Sequence, residues 1–312
     1  MSDAWAYELA ARARNPFLMD TRHRLLLATL LAVAPLAVAF AEDGCKGPSN
    51  DCVAVGGWNF SLSLGAGVRT DPVIHESAIP LVLIPQVSYY GERFFLDNLD
   101  AGVTLVESDQ NTLSLIASPG YDRVFFYRSD PQNIFVSGVN LINAYTAGSI
   151  PKDSVPDSVL AHATPSTTVT AKFPPRSRGI TYLAGPEWTF KGAGITGQLD
   201  VMHEITGRNH GDEVRAALGI PLSKAGGSWS ADFGITWKSS AIVNYYYGAP
   251  GVYEAGAALD PFLKLEFSRP LKGNWKITAF VESERLGNAI ADSPIINARF
   301  VTTTFVGTTY SF

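Results

Sequence analysis

Hydrophobic and polar residues alternate along most of the chain with a period of two. Over 56–68, Phe60, Leu62, Leu64, Ala66 and Val68 fall on one face and Ser61, Ser63, Gly65 and Gly67 on the other. Successive side chains of a strand point to opposite faces. A greasy face backed by a small polar one suits a wall with hydrocarbon outside and a polar lumen within. Asp71-Pro72 ends the run. The same pattern predicts strands over 79–90, 94–105, 112–127, 182–191, 194–203, 213–220, 228–239, 253–268, 275–283 and 300–312. Turn chemistry separates them, as in Tyr90-Gly-Glu-Arg93, Ser108-Asp-Gln-Asn111, Lys224-Ala-Gly-Gly227 and Leu271-Lys-Gly-Asn274. Pro85, inside the second strand, removes a ladder donor and predicts a bulge there. These are eleven strands, and bacterial barrels need an even number. A twelfth is therefore placed in 133–145, with ten strands as the alternative. The expected fold is all-β: a transmembrane, antiparallel, up-and-down β-barrel of about twelve strands over 56–312.

The last predicted strand is β-branched and aromatic, as a pleated surface prefers. Tyr310 and Phe312 stand two apart and share a face. A bare aromatic edge invites aggregation in a soluble sheet; in a barrel the last strand pairs with the first and the edge vanishes. A terminal Phe with an aromatic two residues before it also resembles the signal that delivers bacterial barrel proteins to the barrel assembly machinery. Regularity fails between these strands over 147–178, where Pro151, Pro156, Pro165, Pro174 and Pro175 lie among Ser and Thr. That composition predicts a long surface loop.

The N-terminal region carries a targeting signal. Arg22-His-Arg24, an apolar run over 25–40 and the small-x-small Ala39-Phe40-Ala41 predict a secretory signal peptide, 1–41, cut after Ala41. The acidic residues ahead of the basic cluster suit an n-region poorly, so Met19 is the expected true start. Residues 42–55 form a periplasmic segment holding the cysteines, Cys45 and Cys52. Glu42-Asp-Gly before Cys45 excludes a lipobox, and export favours a small disulfide loop over a metal site.

Charge and composition narrow the function. The chain has 24 basic and 29 acidic residues, net −5, so nothing suggests a nucleic-acid surface. Removing Arg12, Arg14, Arg22 and Arg24 with Asp3, Glu8 and Asp20 leaves the exported part more acidic still. Charged residues are 17% of the chain, fewer than the roughly 25% of soluble domains. Past the leader no stretch is long and apolar enough for a membrane helix. Together these favour an outer-membrane barrel of a Gram-negative cell over a soluble sandwich.

The ordered set Gly65-Ala-Gly67, Asp71-Pro72, Pro80-Leu-Val-Leu-Ile-Pro85, Tyr89-Tyr-Gly-Glu-Arg-Phe-Phe-Leu96, Tyr253-Glu-Ala-Gly-Ala257, Arg269-Pro-Leu271, Trp275, Asp292-Ser-Pro-Ile295 and Gly307-Thr-Thr-Tyr-Ser-Phe312 resembles the MipA/OmpV family of MltA-interacting outer-membrane proteins. The resemblance covers most of the exported chain except about 134–178. It implies a scaffold that brings a murein lytic transglycosylase together with a penicillin-binding murein synthase. It implies no catalytic residues and no cofactor.

Other chemistries leave weaker marks. The histidines are His23, His75, His162, His203 and His210; His203 lies near Asp200 and Glu204, and His210 precedes Gly211-Asp212. A Ser–His–acid set is conceivable among them, but a polar barrel mouth offers such neighbours without catalysis. No Gly-x-Ser-x-Gly elbow, His-Glu-x-x-His or dinucleotide fingerprint occurs. Trp58, Trp188, Trp229, Trp237 and Trp275, with Tyr245-Tyr-Tyr247, read as belts at the two membrane interfaces rather than a sugar-stacking surface. Asp200, Glu187, Gln198 and Lys238 are expected to point inward. A small-solute channel is the alternative to the scaffold, and a barrel enzyme a weaker one.

Overall fold

The computed structural model describes residues 56–127, 130–133, 135, 177–223 and 227–312. The signal peptide, the Cys45 and Cys52 segment and nearly all of the 147–178 loop lie outside the described residues. Twelve antiparallel strands form one closed ring: β1 (Gly57–Arg69), β2 (Ile79–Tyr90), β3 (Phe94–Asp97), β4 (Asp100–Glu107), β5 (Asn111–Pro119), β6 (Tyr182–Gly192), β7 (Ile195–Glu204), β8 (Asp212–Ser223), β9 (Ser228–Lys238), β10 (Ala258–Pro270), β11 (Trp275–Arg285) and β12 (Phe300–Ser311). Each strand pairs with its neighbours in sequence, and β12 closes on β1 from Ser61↔Ser311 to Arg69↔Thr303. The Phe312 N–H adds a last bond to the Phe60 carbonyl at 2.9 Å.

The count of twelve is reached by a different route from the expected one. The predicted strand 94–105 is two strands. Asn98 takes a left-handed backbone, φ 54°, which Asn tolerates better than most residues. It reverses the chain between Asp97 and Asp100, which face each other in the ladder. β5 then pairs directly with β6, so no strand over 133–145 is needed. Asn133 ends a 3-10 turn, Pro131–Asn133, and the rest of that segment lies outside the described residues apart from Phe135. Two boundaries also move. The strand expected over 112–127 stops at Pro119, and Tyr121–Phe125 is a 3-10 turn. The strand expected from Tyr253 begins at Ala258.

The faces are those the alternation predicts. Phe60 is 45% and Leu64 47% exposed on the outside, while Ser63 between them is 5% exposed inside. In a monomeric soluble protein such a continuous apolar exterior would be unsustainable; in hydrocarbon it is required. Pro85 stays in register with Leu62, and the ladder shifts nearby, between Leu64 and Gly67 opposite Leu83 and Leu81. There Val82 and Leu83 are both exposed and Leu81 and Ile84 both buried, so the shift turns the strand.

The chain enters and leaves the barrel at one end, where the connections are short. At the opposite end most connections are long, and described parts of three of them turn inward. Helix α1 (Ser240–Tyr247), helix α2 (Asn288–Ala291) and the 3-10 turn Tyr121–Phe125 pack there with strand residues into one buried cluster. The larger of the two apolar clusters among the described residues is therefore a plug in the mouth of the barrel.

Closure of the seam demands glycine at a close approach. A Cβ on Gly65 would collide with the Val306 carbonyl and the Gly307 Cα of β12. Gly65→Val is expected to block β1–β12 pairing; loss of the compact, heat-modifiable band on cold SDS gels would register it.

Candidate functional site

The mouth is organised by a buried ammonium. Lys238 ends β9, and its Nζ lies 2.8 Å from Asp122 Oδ1 and 3.0 Å from Asp260 Oδ2. The Tyr247 hydroxyl donates to the same Asp122 oxygen at 2.7 Å. Asp260 Oδ1 accepts the Gly287 N–H at 2.7 Å, which orients the start of α2. Ser293 donates to the Tyr247 carbonyl at 2.6 Å. One cation thus ties the β5–β6, β9–β10 and β11–β12 connections to the wall. Around it the α1 face of Ile242, Val243, Tyr246 and Tyr247 is fully packed, and Phe126 stacks on Tyr246. Burial, and then the Asp122 carboxylate, hold the Tyr247 phenol well above its ordinary range, so it stays a donor.

Below the plug the lumen is polar, and many of its side chains pair with one another. Gln198 donates to Glu187 at 3.1 Å and to Asp200 at 3.0 Å. Neighbouring Arg215 pairs with Glu213 at 2.5 Å and donates to Ser118 at 3.3 Å. Tyr121 donates to Asp100 at 3.3 Å, and Tyr90 to Asp97 at the same distance. On the far wall Lys264 pairs with Glu266 at 3.0 Å and sits over the Phe280 ring. Asp200, Asp232 and Asp260 are at most 1% exposed, so these groups see one another rather than bulk water. Carboxylates predominate, but among the described residues no three His, Cys, Asp or Glu are placed to hold a metal ion.

The expected inward positions of Asp200, Glu187, Gln198 and Lys238 are found inward. Tyr245-Tyr-Tyr247 forms neither a belt nor a sugar platform: Tyr246 and Tyr247 fill the mouth. Trp58, Trp188, Trp229 and Trp275 are exposed near the end where the chain enters and leaves, and Trp237 is exposed near the other. Tyr310 packs on Trp275 and on Phe312, each at 4.9 Å between ring centres. His203 Nδ1 meets Asp212 Oδ1 at 2.8 Å on the exposed outer rim. His75 and His210 sit in connections with left-handed backbones, and His23 and His162 lie outside the described residues. The sequence reading missed α1, although Ile242, Val243, Tyr246 and Tyr247 follow helical spacing after Ser239-Ser240. It also missed Asp122 and Asp260, which strand alternation alone does not single out.

Comparison with known proteins adds the following. The family described as MltA-interacting protein MipA matches residues 62–312. The MltA-interacting protein of Escherichia coli K12 is 21% identical over 310 residues, covering 94% of this chain and all of that protein. Its counterpart from Shigella flexneri matches equally. Among solved structures, an outer-membrane channel from Pseudomonas putida F1 is 8% identical with a TM-score of 0.38, over 86% of this chain and all of that one. A porin is 6% identical with a TM-score of 0.34, over 82% of this chain and 99% of that one. At such scores the likeness says nothing of what this barrel binds or passes.

Removing the Lys238 ammonium leaves Asp122 and Asp260 buried beside each other without their cation. Breaking a buried pair this way costs about 3–5 kcal/mol. Lys238→Met is expected to lower stability by that order in urea unfolding from lipid vesicles, and Asp122→Asn in the same chain to restore part of it.

Proposed function

The chain belongs to the MipA family of MltA-interacting proteins, and from that premise we propose that it is an outer-membrane scaffold. It holds a murein lytic transglycosylase at the membrane and brings it together with a penicillin-binding murein synthase, so that cutting and making of peptidoglycan stay coupled. The observation that carries this reading is the family match, which runs through nearly the whole barrel rather than one motif. The curated relatives bear the name MltA-interacting protein along their full length.

The setting is the outer membrane of a Gram-negative bacterium, because a closed barrel wrapped in apolar side chains needs a bilayer. In that setting Trp58, Trp188, Trp229 and Trp275 mark the periplasmic interface and Trp237 the outer one. Tyr310 and Phe312 serve as the assembly signal. The role is non-catalytic. The packed mouth favours a scaffold over a channel: buried rings and a paired Lys238 stand where a pore needs water.

Two experiments test this. Affinity capture of the tagged protein from membranes at native abundance is expected to enrich a lytic transglycosylase and a penicillin-binding protein; their absence would overturn the scaffold. Purified protein in planar bilayers is expected to give no stepwise ion currents; steps of defined size would establish the channel instead.

A further inference from the structure

The inner face of β11 is open to the lumen along its whole length. Trp275 and Val281 are exposed on the outer face, so Lys276, Thr278, Phe280, Glu282 and Glu284 point inward. Each of these five is part exposed. The inner faces around them are filled: Asp232 on β9, Lys264 on β10 and Thr303, Phe305 and Thr309 on β12 are buried. A strip that solvent reaches therefore runs along β11 inside the barrel.

Three carboxylates and one ammonium meet on this strip. In the ladder Lys264 stands directly between Asp232 of β9 and Glu282 of β11. Its Nζ nevertheless goes to a third carboxylate, Glu266, at 3.0 Å, and lies over the Phe280 ring. Asp232 is 1% exposed, and its Oδ1 has no hydrogen-bond partner. Neither Asp232 nor Glu282 forms an ion pair among the described residues. Lys276 and Arg69 are the next cations; they feel Glu266 and Glu282 respectively without coming within ion-pair distance. One ammonium thus serves three carboxylates, and two negative charges are in surplus. A buried carboxylate oxygen without a partner is costly.

A single metal ion does not suit these groups. Glu266 and Glu282 are diagonal neighbours across β10 and β11, a relation that sets side chains about 7–8 Å apart at their bases. Oxygen ligands of a hard cation must all come within about 2.6 Å of it, and among the described residues no three acidic groups are placed to do so. Two ammonium groups on a short alkyl chain carry their charges at a spacing like that of the two carboxylates. Phe280, between them on the wall, offers an apolar ring for the chain and a π-face for the cations. We propose that the β10–β11 wall is a binding site for a short alkyl diamine, one ammonium on Glu266 and the other on Glu282. Asp232 lies too deep for the ligand, but Lys264 is its neighbour in the ladder. As the diamine takes Glu266, Lys264 turns to Asp232, and each of the three carboxylates then has a cation.

The test is calorimetric titration of putrescine into the full chain in lipid nanodiscs at low ionic strength, where charge pairing is least screened. Saturable one-to-one binding is expected. Butylamine, with one ammonium, is expected to bind about tenfold or more weakly, the loss of one charge-assisted contact. Glu282→Gln is expected to weaken putrescine by a similar factor, and so is Asp232→Asn, which leaves Lys264 no carboxylate to turn to. Glu107→Gln, exposed at the periplasmic end of β4, is expected to change nothing. No saturable binding at millimolar putrescine, butylamine binding as tightly, or Glu107→Gln weakening it as much as Glu282→Gln overturns the site. Magnesium displacing putrescine at equal concentration overturns it too, since any cation would then serve. Asp232→Asn binding as the parent chain does strikes the move of Lys264, and the proposal with it. If that variant loses its heat-modifiable band, Glu266→Gln takes its place, and undiminished binding there is equally fatal.

Discussion

Backbone hydrogen bonding at the seam between β1 and β12 is the constraint on which the structure depends. A membrane offers no water to the polar groups of a strand, so each strand needs two neighbours and the first must find the last. Nine residue pairs from Ser61↔Ser311 to Arg69↔Thr303 meet that need. The glycines on both sides of the seam follow from it. Gly65 and Gly307 lie back to back, and a side chain on either would hold the strands apart. The apolar outer face, the short connections at one end and the inward turn of the long ones are arrangements built on a ring already closed.

Closing the ring creates an interior that must itself be satisfied. Charges inside a narrow lumen lose much of their hydration, so they persist by finding polar partners there. Gln198 between Glu187 and Asp200, Arg215 beside Glu213, and Lys238 between Asp122 and Asp260 are such meetings. The last has a further effect. Asp122 and Tyr247 come from connections rather than the wall, so the ion pair fastens those connections to the wall as a fitted stopper. Apolar packing of α1, α2 and the 3-10 turn with strand residues fills the space, and the ion pair fixes the position.

Period-two alternation made the barrel legible, because lipid-facing and lumen-facing positions obey opposite rules at every step. It placed Phe60 and Leu64 outside and Lys238 and Asp200 inside. It failed where a local turn or a tertiary contact competes with periodicity. Asn98 splits one apparent strand into two, and the signal, Asp97-Asn98-Leu99-Asp100, is turn chemistry inside a run that otherwise alternates. The tyrosines 245–247 were legible as aromatic but not as buried, since an interfacial ring and a plug ring look alike until the helix carrying them is seen. Asp122 lies in a segment whose direction changes after Pro119 and Gly120, so its meeting with Lys238 depends on a fold that alternation does not describe. Pro85 was read as the place of a bulge; it stays in register with Leu62, and the shift falls between Leu64 and Gly67 of β1.

The bond from Phe312 to Phe60 has a consequence for how the molecule is made. The two partners lie at opposite ends of the folded chain, so the ring has no sub-ring that could stand alone. Both β1 and β12 must be made before its circumference can exist, and any fragment lacking either keeps two raw margins. Closure is therefore all-or-none, and keeping unpaired strands from other partners until then is a demand of the architecture itself.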